Sequence, residues 1–216
     1  MAETQLELDR QAAPDMPPCD TLHENLEWVR KVLAKRGRVL VKVHVDGAAL
    51  SGEALGQRGR QPLGAARVQC ESEDRGELAR RTLAKLWAVA TYLHEQHSSA
   101  ANEFQAGHIT QANTQFTGII QGWQQMYEAY GSLVKMLDLD LATLSAGEIP
   151  ALRLVASFQQ QLQELAVAVR TQDTVLLSDM LMYEMEAAVS DFQKLLAATL
   201  GWVDAHCPAP GKPAAI

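Results

Sequence analysis

From residue 79 to residue 203 apolar side chains recur at alternating steps of three and four. Ala79, Leu83, Leu86, Ala90, Leu93, His97, Ala100 and Phe104 make one such series. Phe116, Ile120, Trp123, Tyr127, Tyr130, Val134 and Leu137 make a second. Leu152, Val155, Phe158, Leu162, Leu165 and Val169 make a shorter third. Val175, Ser178, Met182, Met185, Val189, Phe192, Leu196, Thr199 and Val203 make a fourth. This spacing predicts helices packed nearly parallel with interlocking side chains. Short polar turns, AGHIT and RTQDT, join the first helix to the second and the third to the fourth, with Asp173 as the N-cap of the last. Solenoid repeats use shorter helices and need three or more copies, so two long hairpins predict a closed bundle instead.

The pattern before residue 74 differs. Leu22, Leu26, Val29 and Leu33 have helical spacing over Thr21–Lys35, with Asp20 as N-cap and Gly37 as stop. Val39, Val41, Val43 and Val45 then alternate with polar or larger residues up to Asp46-Gly47, which predicts a strand. Residues 48–65 carry four glycines and read as a mobile loop, and Ala66–Glu71 as a second strand. The expected fold is mainly α (α+β): an N-terminal helix and a small two-stranded β element, then an antiparallel four-helix bundle. The expected divisions are a flexible tail over 1–19, the helix and β element over 20–73, the bundle over 74–204 and a second tail over 205–216.

Net charge limits the partners. At −7, the chain lacks the general basic surface that phosphate backbones require, so no nucleic-acid partner is expected. Apolar residues make up 47% of the sequence, yet no uninterrupted apolar run approaches the roughly 18 residues of a membrane span. The N-terminus MAETQLELDRQ is acidic where a secretory signal would be basic and then apolar, and a cytoplasmic location is expected. Cys19, Cys70 and Cys207 are far apart and odd in number, which predicts three free thiols.

Motifs that carry chemistry are missing from the sequence. It holds no G-x-S-x-G, no G-x-x-x-x-G-K-[ST] and no G-x-G-x-x-G after a strand. Carboxylate-bridged metal bundles need Glu-x-x-His on two helices. Here His94 and His97 stand in LHEQH and Glu184 and Glu186 in MYEME, without that motif. No metal, cofactor or catalytic residue is expected. His97 occupies a position in the first apolar series, so a polar core layer is expected, in which it bonds Tyr127, Tyr130 or a backbone carbonyl. An alternative reading makes His97 a phosphotransfer, pH-sensing or metal-binding group, working with Glu103 or the tyrosines.

The last helix has methionines and leucines beyond what one seam uses, and methionine suits accommodating surfaces. A partner-binding surface is therefore expected at Leu177, Met180, Leu181, Tyr183 and Glu184. Residues 101–141, with Gly107 at the turn and Ala112 beyond it, resemble hairpins of bacterial flagellar secretion chaperones and similar uncharacterised helical-bundle proteins. ALRLVASFQQQLQELAVAV and DTVLLSDMLMYEMEAAV are similar to the same class. The resemblance covers the helical region only, and it implies capture of a protein segment without catalysis. The expected function is a non-enzymatic protein-interaction module, adaptor or chaperone-like. An unpaired sheet edge and a wide apolar last helix predict a homodimer.

Overall fold

Alternation early in the chain and three-four spacing later sort it into two units, Met1–Leu78 and Ala79–Ile216. The computed structural model describes residues 4–13, 19–171 and 173–207. The first unit contains β1 (Gln5–Leu8), β2 (Gln11–Ala12), α1 (Leu22–Lys35), β3 (Arg38–Val45), β4 (Ala48–Leu50), α2 (Gly52–Gly59) and β5 (Arg67–Asp74). Its strands form one mixed sheet in the order β2-β1-β5-β3-β4, with β1 parallel to β5 and the other pairs antiparallel. One core joins Leu22, Leu26, Val29 and Leu33 of α1 to Leu6, Val43, Val45, Val68 and Cys70 of the sheet.

Four expectations need correction here. The sheet has five strands, because the stretch read as a polar tail supplies β1 and β2, with Leu6 buried in the core. Charged side chains hold β1 in place. Arg67 Nη2 lies 2.6 Å from Glu7 Oε1, and Asp9 accepts from the Ser72 amide at 2.7 Å and its hydroxyl at 2.6 Å. Expected tail positions 1–3, 14–18 and 208–216 lie outside the described residues. At the other end, the last helix runs to His206 and Cys207 is buried.

Second, Thr21 rather than Asp20 caps α1, through a capping box in which Thr21 Oγ1 accepts from the Glu24 amide. Gly37 does follow the helix, at φ +65°. Third, the four valines of β3 do not share one face. The pairing with β5 steps from Leu40↔Ser72 to Lys42↔Glu71, so Val41 is an extra residue that reverses the alternation. Val43 and Val45 are buried after the bulge, but before it Leu40 packs on the core. Fourth, the glycine-rich stretch 48–65 is not a bare loop: it carries β4 and α2.

The second unit contains nearly all of α3 (Arg75–Gln105), then α4 (Ile109–Leu137), the two-residue strands β6 (Ser145–Ala146) and β7 (Ile149–Pro150), and α5 (Ala151–Thr171). α6 (Thr174–Asp179), a π-helical turn at Met180–Glu184 and α7 (Met185–His206) complete it. All the long helices contribute to one core. α3 and α4 run antiparallel, since Phe104 meets Phe116 while a Cβ on Gly122 would meet Leu93. α3 and α7 also run antiparallel, with Arg80 on Asp204 and Ser178, in α6, on the Ala101 carbonyl.

The turn between α3 and α4 closes by its own backbone. The Gly107 amide donates to the Phe104 carbonyl and the His108 amide to that of Glu103, with Gly107 at φ +77°. Asp173 caps α6 as expected, accepting from the Leu176 amide at 3.0 Å.

Candidate functional site

Every member of the predicted α3 series is buried, and among them His97 is the polar one. Trp123 Nε1 donates to His97 Nε2 at 2.9 Å. An indole nitrogen can only donate, so Nε2 presents its lone pair and the neutral ring carries its proton on Nδ1. Among the described residues Nδ1 has no hydrogen-bond partner. Burial, with a smaller contribution from His94, lowers the His97 pKa to about 4. At neutral pH the ring is therefore an uncharged acceptor for Trp123. Trp123 lies in turn against Phe158, with centroids 4.6 Å apart, and edge-on to Phe192 at 5.9 Å.

The three residues expected to form one polar layer are not brought together. The Tyr130 hydroxyl lies 2.9 Å from Thr199 Oγ1, which itself donates to the Leu195 carbonyl, so the tyrosine is the donor. Burial pushes the Tyr130 pKa up to about 12. Tyr127 is half-buried and its hydroxyl accepts from Gln159 Nε2 at 2.9 Å. Glu103 is not beside His97 but bonds His108 Nδ1 at 2.7 Å and Gln111 at 3.0 Å. Among the described residues no three His, Cys, Asp or Glu side chains are grouped as metal ligands would be.

The surface expected on the last helix is also corrected. Leu177, Met180 and Leu181 are 4%, 3% and 1% exposed and belong to the core, while Tyr183, at 68%, and Glu184 are exposed. The cause is the π-helical turn Met180–Glu184, whose extra residue per turn rotates the preceding segment. Val175, placed in the seam by its spacing, is exposed instead, together with Leu176.

An open groove appears elsewhere, between α4 and α5. Phe116 and Ile120 line one wall, and Leu162, Ala166 and Val169 the other. Gln124 and Arg170 are its polar lining residues, and its volume is about 360 Å³. Phe116 to Gln124 spans about 12 Å at the rise of a helix. The groove exists because Ile119 rather than Ile120 enters the core, and because Leu165 and Ala168 of α5 turn inward beside a small Ala166. The sequence did carry a signal for this, in the apolar pairs Ile119-Ile120, Met126-Tyr127 and Leu133-Val134. Each pair gives α4 more apolar width than one seam needs.

No helix among the described residues is long and apolar enough to cross a membrane. No curated protein and no solved structure matches the chain. A family model described as a domain of unknown function, DUF8042, matches residues 85–195, which span both walls of the α4–α5 groove as well as His97 and Trp123. These 111 of 216 positions are more than half of the sequence, and the chain belongs to that family.

Proposed function

We propose that residues 74–204 form an antiparallel four-helix bundle that serves as a cytoplasmic, non-enzymatic protein-interaction module, adaptor or chaperone-like. The observation that carries this reading is the α4–α5 groove, an apolar channel flanked by Gln124 and Arg170. Its length accepts two or three side chains of an amphipathic helix, at spacing i, i+3 or i+4, and i+7. An acidic residue beside those anchors would meet Arg170. Two buried aliphatic anchors contribute about 3–6 kcal/mol before the costs of association, so a single segment binds weakly, in roughly the millimolar range.

The competing reading, a sensor or enzyme built on His97, has less support. The ring is buried, its pKa is lowered to about 4 and its Nε2 is engaged by Trp123. Self-association is kept as part of the proposal on narrower grounds. The sheet ends in the short edge strands β2 and β4, and Met180 and Leu181 are buried, so both reasons drawn from sequence are weaker than expected. The exposed Val175, Leu176 and Tyr183 are what remain. Sedimentation equilibrium reads the mass directly, and 23.6 kDa at all concentrations would set the dimer aside.

A photo-crosslinking residue at Ile120, with a matched one at the exposed Glu128 as control, tests the groove in cells. The expected result is a protein adduct from position 120, none from 128, and loss of the adduct on Ala166→Arg. Equal labelling from both positions, or labelling indifferent to Ala166→Arg, would remove the groove from the proposal.

A further inference from the structure

In the first unit a cleft of about 690 Å³ opens between α1 and α2, with Leu26 and Leu55 as its apolar lining. Its size falls within the range of small-molecule sites. The cleft exists because α2 turns glycine toward α1, at Gly52, Gly56 and Gly59. One of the three has a reason in the fold: Gly52 adopts φ +49°. Gly56 and Gly59 have no such reason: neither has a positive φ, a Cβ on Gly56 would meet nothing within 4 Å, and one on Gly59 would make only an ordinary contact with His23 Cβ at 3.9 Å. Glycine is the poorest helix former after proline, so its place in an eight-residue helix weakens α2 with no return in packing. Open space in the cleft is the return that the structure offers.

The charge of the lining is the second, independent observation. In a chain of net charge −7, no Asp or Glu lines the cleft, while Arg30 and Arg60 do. Arg38, Arg67 and Arg80 each hold a carboxylate, but among the described residues the Arg30 and Arg60 guanidinium groups have no hydrogen-bond or carboxylate partner. His23, also in the lining, is engaged by Glu27 at 3.4 Å. Two arginines and two leucines in one cleft lining match a ligand with an anionic head and an apolar or planar body, since the guanidinium fork fits phosphate and carboxylate.

We infer that the α1–α2 cleft binds a small organic anion, with Arg30 and Arg60 taking its phosphate or carboxylate and Leu26 and Leu55 its apolar body. This site lies outside the residues that define the family match and does not depend on the α4–α5 groove.

The test is an amide NMR titration of the full chain with three probes: AMP, decanoate and inorganic phosphate. AMP or decanoate should shift the Gly52, Gly56 and Gly59 amides saturably below millimolar concentration, and which of the two does so tells a phosphoryl head from an acyl carboxylate. Inorganic phosphate, lacking the apolar body, should bind at least tenfold more weakly. The double variant Arg30→Gln/Arg60→Gln should weaken the organic anion by tenfold or more, and Gly56→Leu should block it by filling the cleft. Circular dichroism verifies that each variant is folded, and the arginine pair serves alone if Gly56→Leu is not. Failure of both organic anions to shift these glycines at millimolar concentration, or binding unchanged in the arginine variant, would overturn the inference.

Discussion

Replacing His97 by Gln should flatten the acid dependence of stability in the helical unit, and the size of the effect follows from the buried pair. The imidazole has a pKa of about 4 in the folded chain, lowered by burial from the ordinary value of 6.5. Between these values the unfolded chain binds a proton that the folded chain refuses. Stability from this group is therefore complete above pH 6.5 and is lost as pH falls toward 4. Between pH 7 and pH 4.5 the linkage amounts to roughly 2 to 3 kcal/mol, a large part of the roughly 5–15 kcal/mol that holds a typical domain together. Geometry supports the direction, because protonating Nε2 would also set two donors, His97 and Trp123, against each other.

In the His97→Gln variant the introduced side chain can present its amide oxygen to Trp123 Nε1, and it does not titrate in this range. Urea unfolding followed by tryptophan fluorescence, at pH 7 and pH 4.5, gives the acid loss for each protein. The wild type should lose roughly 2 to 3 kcal/mol more than His97→Gln over that interval. Equal losses to within about 0.5 kcal/mol would refute the argument, and would mean that His97 is hydrated or differently bonded in solution.

Three further outcomes follow from other parts of the structure. Trp123→Ala, at the centre of the aromatic cluster, should reduce the unfolding free energy by about 3–5 kcal/mol in the same urea assay. Glycine-to-alanine changes should have opposite signs by position. Gly107→Ala loses about 1 kcal/mol at φ +77°, whereas Gly118→Ala, in an open helical site, gains a similar amount, both read as shifts in thermal midpoint. Glu7, whose pKa is lowered by its bonds from Gln69 and Arg67, should hold β1 to the sheet above the ordinary carboxylate range and release it as pH falls through the lowered value. Protection from hydrogen exchange at the Asp9 amide, which donates to the Cys70 carbonyl, should decline over that interval in the wild type. In Glu7→Gln it should already be reduced at pH 7.

The legible parts of the fold were those set by neighbours in sequence. The α3 series is buried at every position, as its local three-four spacing indicates. Gly107 and Asp173 were legible because turn and cap chemistry is local. β1 was not, because four residues with two leucines carry little signal and its partners, Arg67 to Cys70, lie some sixty positions away. The bulge at Val41 was hidden for the same reason, since a bulge is a property of two paired strands and the alternation of one strand cannot reveal it.

The groove was hidden by a choice of phase that the sequence leaves open. Phe116, Trp123, Tyr130 and Leu137 recur every seven residues and are buried under either phase. Between them the apolar pairs 119-120, 126-127 and 133-134 permit steps of four then three, or of three then four. Local spacing cannot choose between them, because both put apolar atoms into the same stripe. The choice is made by the neighbours: Trp123 must reach His97 on α3 and Phe192 on α7. That orientation takes Ile119, Met126 and Leu133 inward. Ile120, Tyr127 and Val134 are left half-buried along the helix side, where Ile120 becomes a groove wall and Tyr127 finds Gln159. The same logic ran in the opposite direction on the last helix, where the π turn drew Leu177 and Leu181 inward and removed an expected surface. A helix with more apolar width than its seam requires must either bury the excess by changing its winding or show it at a groove. α7 and its π turn take the first course, and α4 the second, which leaves Ile120 at the wall of a groove.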